Sequence, residues 1–147
     1  MKPSKPLGAA AFLCGVLVIL TPTVIAPVCE ALVETKGGML VPMRCHYTAR
    51  TEVAIGALLA LAGALLFALG HERRTGLALS TIVAASGVVT ILVPTVLIGT
   101  CGNPTMECNV ATRPALVLLG AGILLLGAFA VWMAWSRSPR DDRGAAS

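Results

Sequence analysis

Apolar residues fall into four long runs along this chain, with short polar stretches between them. The first run extends from about Leu7 to Val28, the third from about Leu77 to Ile98 and the fourth from about Pro114 to Trp135. A helix needs on the order of 20 residues to cross the hydrocarbon of a bilayer, and each of these runs is about that long. The second run, Val53 to Leu69, is shorter. It spans if its helix starts in the polar stretch near Arg50 and lets Arg50 and Glu52 reach the interface. The pattern predicts an all-α fold, a four-transmembrane-helix bundle. No Asp, Glu, Lys, Arg or His falls deep in a run on this reading. That speaks against a pump, a voltage sensor or a proton-coupled transporter acting alone.

The runs are also related in pairs. Pro22-Thr23-Val24 precedes Cys29 as Pro94-Thr95-Val96 precedes Cys101, with matching residues 72 positions apart. Cys14-Gly15 falls on Ser86-Gly87 at the same offset. Downstream, Met43-Arg44-Cys45 leads to Arg50 as Met106-Glu107-Cys108 leads to Arg113, now 63 positions apart. Self-similarity of this kind predicts two repeated helical hairpins, residues 7–69 and 77–135, within one membrane domain over 1–147. Both hairpins start on the same side, so the repeat is parallel rather than inverted. Gly56, Ala60, Gly63 and Ala64 in the second run, and Gly120 and Gly127 in the fourth, suit close backbone packing between helices in lipid. Pro22 and Pro94 each remove a backbone donor near the end of a run and predict a kink there.

Composition adds the solvent. The hydrophobic fraction is 56%, charged residues are 12% and the mean hydropathy is +0.87. A soluble domain carries about twice that charge, so the bilayer is the expected environment. The net charge of +4 is spread along the chain without a basic stripe, which excludes nucleic acid as an expected partner. Lys2, Lys5, Arg73, Arg74, Arg137, Arg140 and Arg143 would share one side of the membrane, and Lys36, Arg44, Arg50 and Arg113 the other. The larger set predicts cytoplasmic termini, a cytoplasmic link over 70–76 and two outer loops. Trp132 and Trp135 suit the interfacial belt at the end of the last run, and the tail 136–147 is expected to be disordered. Lys2 and Lys5 ahead of an apolar run also resemble a signal peptide, with Val24-Ile25-Ala26 as a cleavage site. Pro27 directly after that site, and the recurrence of Pro-Thr-Val in the third run, argue for a retained first helix.

Chemistry concentrates in the outer loops. Cys29, Cys45, Cys101 and Cys108 would all face the oxidising side, where an even number of cysteines reads first as disulfides. The repeat favours Cys29–Cys45 and Cys101–Cys108, although four cysteines permit three connectivities. Cys14, inside the first run, is expected to be a small packing residue with a free thiol. A soft-metal alternative gathers Met43, Cys45, His46, Met106 and Cys108, a thioether, thiolate and imidazole set suited to copper, with haem the other cofactor considered. A third alternative is thiol–disulfide exchange, although no C-x-x-C is present. Asn109 stands in the second half where His46 stands in the first, and both suit loop hydrogen bonds. Arg50 and Arg113 open the second helix of each hairpin, with Glu52, Glu30, Glu107 or lipid phosphate as partners.

Met43-Arg44-Cys45-His46-Tyr47-Thr48 and Cys101-Gly102-Asn103-Pro104-Thr105-Met106-Glu107-Cys108-Asn109 resemble the paired signatures of an uncharacterised family of small bacterial four-helix membrane proteins. The resemblance extends from about Leu7 to Trp135. It implies four helices and a bacterial inner-membrane location, and suggests association with permeases of ABC-type transporters. It supplies no catalytic residues. The combined expectation is a non-enzymatic accessory subunit of a membrane complex, with the lipid bilayer as its surroundings.

Overall fold

A computed structural model describes residues 4–25, 32–34, 37–42, 44–70, 72–99, 105 and 108–136. Its four helices are α1 (Ser4–Leu20), α2 (Arg44–Leu69), α3 (Arg73–Leu92) and α4 (Arg113–Trp135). π-Helical turns continue α1 over Thr21–Ile25 and α3 over Val93–Leu97, and a third, Cys108–Thr112, leads into α4. Four stretches, Lys5–Ile25, Cys45–Leu69, Arg73–Leu97 and Asn109–Trp135, are long and apolar enough to cross a membrane. The all-α bundle expected from the apolar runs is therefore the fold. The first loop adds a small antiparallel hairpin, β1 (Leu32–Glu34) and β2 (Leu40–Pro42), with Val33 opposite Val41. Gly38 turns it at φ 76°, a left-handed conformation that glycine adopts without a Cβ penalty.

Two boundaries differ from the sequence reading. Helix α2 begins at Arg44, ahead of the start near Arg50 expected from the sequence. The reason is a buried stripe. Cys45, Thr48, Ala49 and Glu52 all face inward, and their spacing of three, four and seven residues is that of one helix face. Helix α3 begins at Arg73 rather than near Leu77, so half of the expected link is helical. The Glu72 carboxylate accepts from the Thr75 hydroxyl at 3.2 Å, and the Gly76 N–H donates to the Glu72 carbonyl at 2.8 Å.

Packing is far closer within the α1–α2 and α3–α4 hairpins than between them. The close approaches centre on glycine. A Cβ on Gly15 would lie 2.5 Å from the Ala60 backbone nitrogen and 2.8 Å from the Gly56 carbonyl. A Cβ on Gly87 would lie 2.6 Å from the Leu124 nitrogen and 2.8 Å from the Gly120 carbonyl. Ile19 covers Gly56 as Ile91 covers Gly120. The buried positions of α1 and its turn, Gly8, Ala11, Gly15, Val18, Thr21 and Pro22, each have a buried counterpart 72 residues on, in α3 and its turn.

Between α2 and α4 the corresponding contacts are 64 residues apart, as in Gly56 and Gly120, or Leu59 and Ile123. Cys45 and Cys108 are 63 apart. One more residue therefore separates cysteine from glycine in the second hairpin. The π-helical turn at Cys108–Thr112, which α2 lacks, widens the helix and takes up that residue. The centre of the bundle is a cluster of Ala11, Val18, Leu59, Ala62, Val83 and Ile123. About a third of each span is buried, and the rest is apolar surface suited to lipid.

Candidate functional site

The notable chemistry lies beneath the cap end of the bundle, the end that carries β1 and β2. Helix α2 descends from this end with a polar face, and α3 rises to it and loses regularity at Pro94. Proline has no N–H to give the carbonyl four residues earlier. Pro94 thereby removes the helical partner of the Thr90 carbonyl, and Pro22 does the same to Val18. Threonines stabilise both bends in the same manner. The Thr23 hydroxyl donates to the Ile19 carbonyl at 2.8 Å, and the Thr95 hydroxyl to the Ile91 carbonyl at 2.6 Å. The kinks expected at the two prolines take the form of π-helical turns, and both proline rings are buried.

Glu52 sits where these features meet. It was expected to reach the interface beside Arg50, but its relative exposure is 0%. Arg50, two residues earlier, points to the opposite side and is exposed. The Thr90 hydroxyl on α3 faces the Glu52 carboxyl without closing a hydrogen bond. Both Glu52 oxygens and Thr90 Oγ1 are buried and unpartnered. One helical turn nearer the cap end, the Thr48 hydroxyl donates to the Gly99 carbonyl at 2.9 Å, joining α2 to the residues that follow α3. Glu52 is thus an ionisable residue buried inside a span, contrary to the expectation that none falls deep in a run.

At the level of Glu52 and Thr90 the two halves of the bundle differ. Position 90 corresponds to Val18 in α1, and Glu52 corresponds to Leu116 in α4 by the packing offset of 64. Val18 and Leu116 are both fully buried. An apolar pair thus occupies the places that Glu52 and Thr90 hold at the α2–α3 seam. Glu52 was visible in the sequence, and its burial was signalled by the stripe that begins at Cys45. Thr90 lies within an apolar run and carried no signal by itself.

The expected sulfur sites are only partly described. Cys45 is buried in the first turn of α2, and Cys108 opens the π-helical turn before α4, so both stand at the cap end. Cys29, Cys101, Met43 and Met106 lie outside the described residues, and with them the expected Cys101–Cys108 pairing. Cys14 and Cys45 are outside any disulfide, so the expected Cys29–Cys45 bond is not formed in this structure. Among the described residues no three His, Cys, Asp or Glu side chains gather as metal ligands. His46 is half-buried and makes an edge-to-face contact with Tyr47, ring centroids 6.0 Å apart. Cys14 is a free thiol packed against the central cluster, which suits a small packing residue.

Four apolar helices, close-packed on glycine and apolar toward their surroundings, define a multi-pass integral membrane protein. Residues 11–133 match the family described as a domain of unknown function, DUF4418, and the chain belongs to that family. No curated protein and no solved structure matches it.

Proposed function

We propose that this protein is a non-enzymatic accessory subunit of a membrane complex, its partner an integral membrane protein such as the permease of an ABC-type transporter. The observation that carries this reading is the outward face of α4. Leu118, Leu125 and Trp132 recur every seven residues along one stripe and are 73%, 71% and 65% exposed. A stripe of large side chains at heptad spacing can pack against a neighbouring helix as well as against lipid. The interior is already filled by the two hairpins, so a further helix would dock outside. The reading places the termini in the cytoplasm of a bacterial cell and the cap on the oxidising side, where Cys29–Cys45 and Cys101–Cys108 disulfides would tie it. Photo-crosslinking residues at positions 118 and 125, compared with positions 58 and 61 on α2, test the reading in native membranes. A partner crosslinked from α4 and not from α2 is expected. Lipid adducts alone from all four positions would overturn it.

A further inference from the structure

A buried polar group without a partner calls for a physical explanation, and Glu52 is the clearest case in this chain. Helix α2 packs against α1, α3 and the turns Thr21–Ile25 and Val93–Leu97. Neither turn carries a titratable group. Helix α1 carries Lys5 and Cys14. Lys5 lies near the far end of α2, because Gly8 packs against Phe67, and Cys14 lies beside the Gly15–Ala60 contact, about two turns from Glu52. Helix α3 carries Arg73 and Arg74, also at the far end, and faces Glu52 with the Thr90 hydroxyl. On α2, Arg50 is exposed, His46 is half-buried, and Cys45 lies two turns toward the cap end. Among the described residues no hydrogen bond reaches either carboxyl oxygen.

An ionised carboxylate in such a place lacks both counter-charge and donors, and the apolar surroundings make that form costly. The neutral acid instead removes the charge and brings its own donor toward the facing Thr90 hydroxyl. Access is nearer from one end. Glu52 lies eight residues from Arg44, about 12 Å along the helix axis, and 17 residues from Leu69, about 25 Å. Thr48 stands between Glu52 and that end, its hydroxyl bound to the Gly99 carbonyl. The seam itself joins the two hairpins, whose mutual packing is looser than the packing inside either one.

We propose that Glu52 is a proton-exchange site at the α2–α3 seam, protonated while the seam is packed and releasing its proton to water at the cap end when the seam opens. In the release step the carboxyl O–H bond breaks and its electron pair stays on Glu52. The proton passes to a water molecule as hydronium, and return reverses the step. This inference is independent of the accessory-subunit reading, since a proton site can serve a free or a docked protein.

Labelling of the full-length protein with dicyclohexylcarbodiimide in lipid nanodiscs tests it, because that reagent adds to protonated carboxyls in apolar settings. Mass mapping should place an adduct on Glu52 at neutral pH, falling as the medium is made alkaline and absent in Glu52→Gln. Amide hydrogen exchange supplies a second readout. In the native protein, peptides containing Glu52 and Thr90 should open further at alkaline pH than the intrinsic exchange rate explains, and in Glu52→Gln they should not. An unlabelled Glu52 at neutral pH, or labelling and seam opening that ignore pH, would overturn the proposal.

Discussion

The Thr48 hydroxyl donates to the Gly99 carbonyl across the seam between the hairpins, at 2.9 Å. Both ends of this bond are locally demanding. Thr48 is buried, and Gly99 has φ +77°, a conformation that costs an ordinary residue about 1–2 kcal/mol. Thr48→Val keeps the shape and removes the donor, with an expected loss of about 1 kcal/mol. Gly99→Ala should cost about 1–2 kcal/mol through its backbone alone, because nothing crowds its Cβ position. Thermal unfolding in detergent checks both: an unchanged midpoint in Thr48→Val would show that the contact does not hold the seam, and in Gly99→Ala that the turn does not need the left-handed glycine.

Glycine packing gives a sharper comparison. Cβ atoms at Gly15 and Gly87 would strike backbone, which cannot move aside as a flexible side chain can. Gly15→Ala and Gly87→Ala are each expected to destabilise by about 1–3 kcal/mol, the usual cost of overpacking. Gly122 lies on the same helix as Gly120 but faces open space. Gly122→Ala should therefore be neutral or stabilise slightly through helix propensity. Equal effects at the three positions would mean that close packing of the hairpins is not what the glycines supply.

The spans were legible because hydrocarbon thickness demands long apolar runs, and a one-dimensional pattern records length well. The glycines were legible for a similar reason, since close helix packing in lipid requires small residues. Helix starts were harder. The turns from Arg44 to Glu52 are polar enough to read as a loop, and their inward stripe is apparent only once a helix is assumed. Glu52 was misplaced through the same error, because a carboxylate two residues from Arg50 looks interfacial along the sequence. On the helix those two residues point about 200° apart, one outward and one into the bundle. The shift from 63 to 64 between equivalent positions was hidden too, since a π-helical turn leaves no compositional mark.

Charge asymmetry sets the expected topology. If the excess of Lys and Arg sets the orientation, reporter fusions after Leu69 and after Ser147 should both show cytoplasmic activity. The cap with β1 and β2 would then face the oxidising side. An external signal from either fusion would reverse that assignment and make the proposed disulfides untenable.

Cysteine chemistry follows from the same orientation. Alkylation of unreduced protein is expected to modify Cys14 alone after denaturation, with Cys29–Cys45 and Cys101–Cys108 recovered as linked peptides. Closing such loops stabilises by about 2–4 kcal/mol per bond. Recovery of five free thiols from protein isolated with its thiols trapped would remove the covalent cap.

The strongest mutational prediction uses the bundle's own apolar seam as a template. Val18 and Leu116 fill the places that correspond to Thr90 and Glu52, and all four residues are fully buried. Replacing Glu52 and Thr90 together by Leu and Val would remove three unpartnered polar atoms and introduce a pair of side chains already used in the other hairpin contacts. Replacement of buried polar groups by well-packed apolar ones is often neutral or stabilising by about 1–4 kcal/mol. Thr90→Val alone should do less, because it leaves the carboxyl in an even poorer site with no hydroxyl facing it. The expected order of thermal midpoints is therefore the double variant first, then the native protein, then Thr90→Val. If the double variant instead unfolds well below the native protein, the Glu52 carboxyl must contribute contacts that stabilise the seam. In that case the polar pair would be structural, rather than a site retained at the expense of stability.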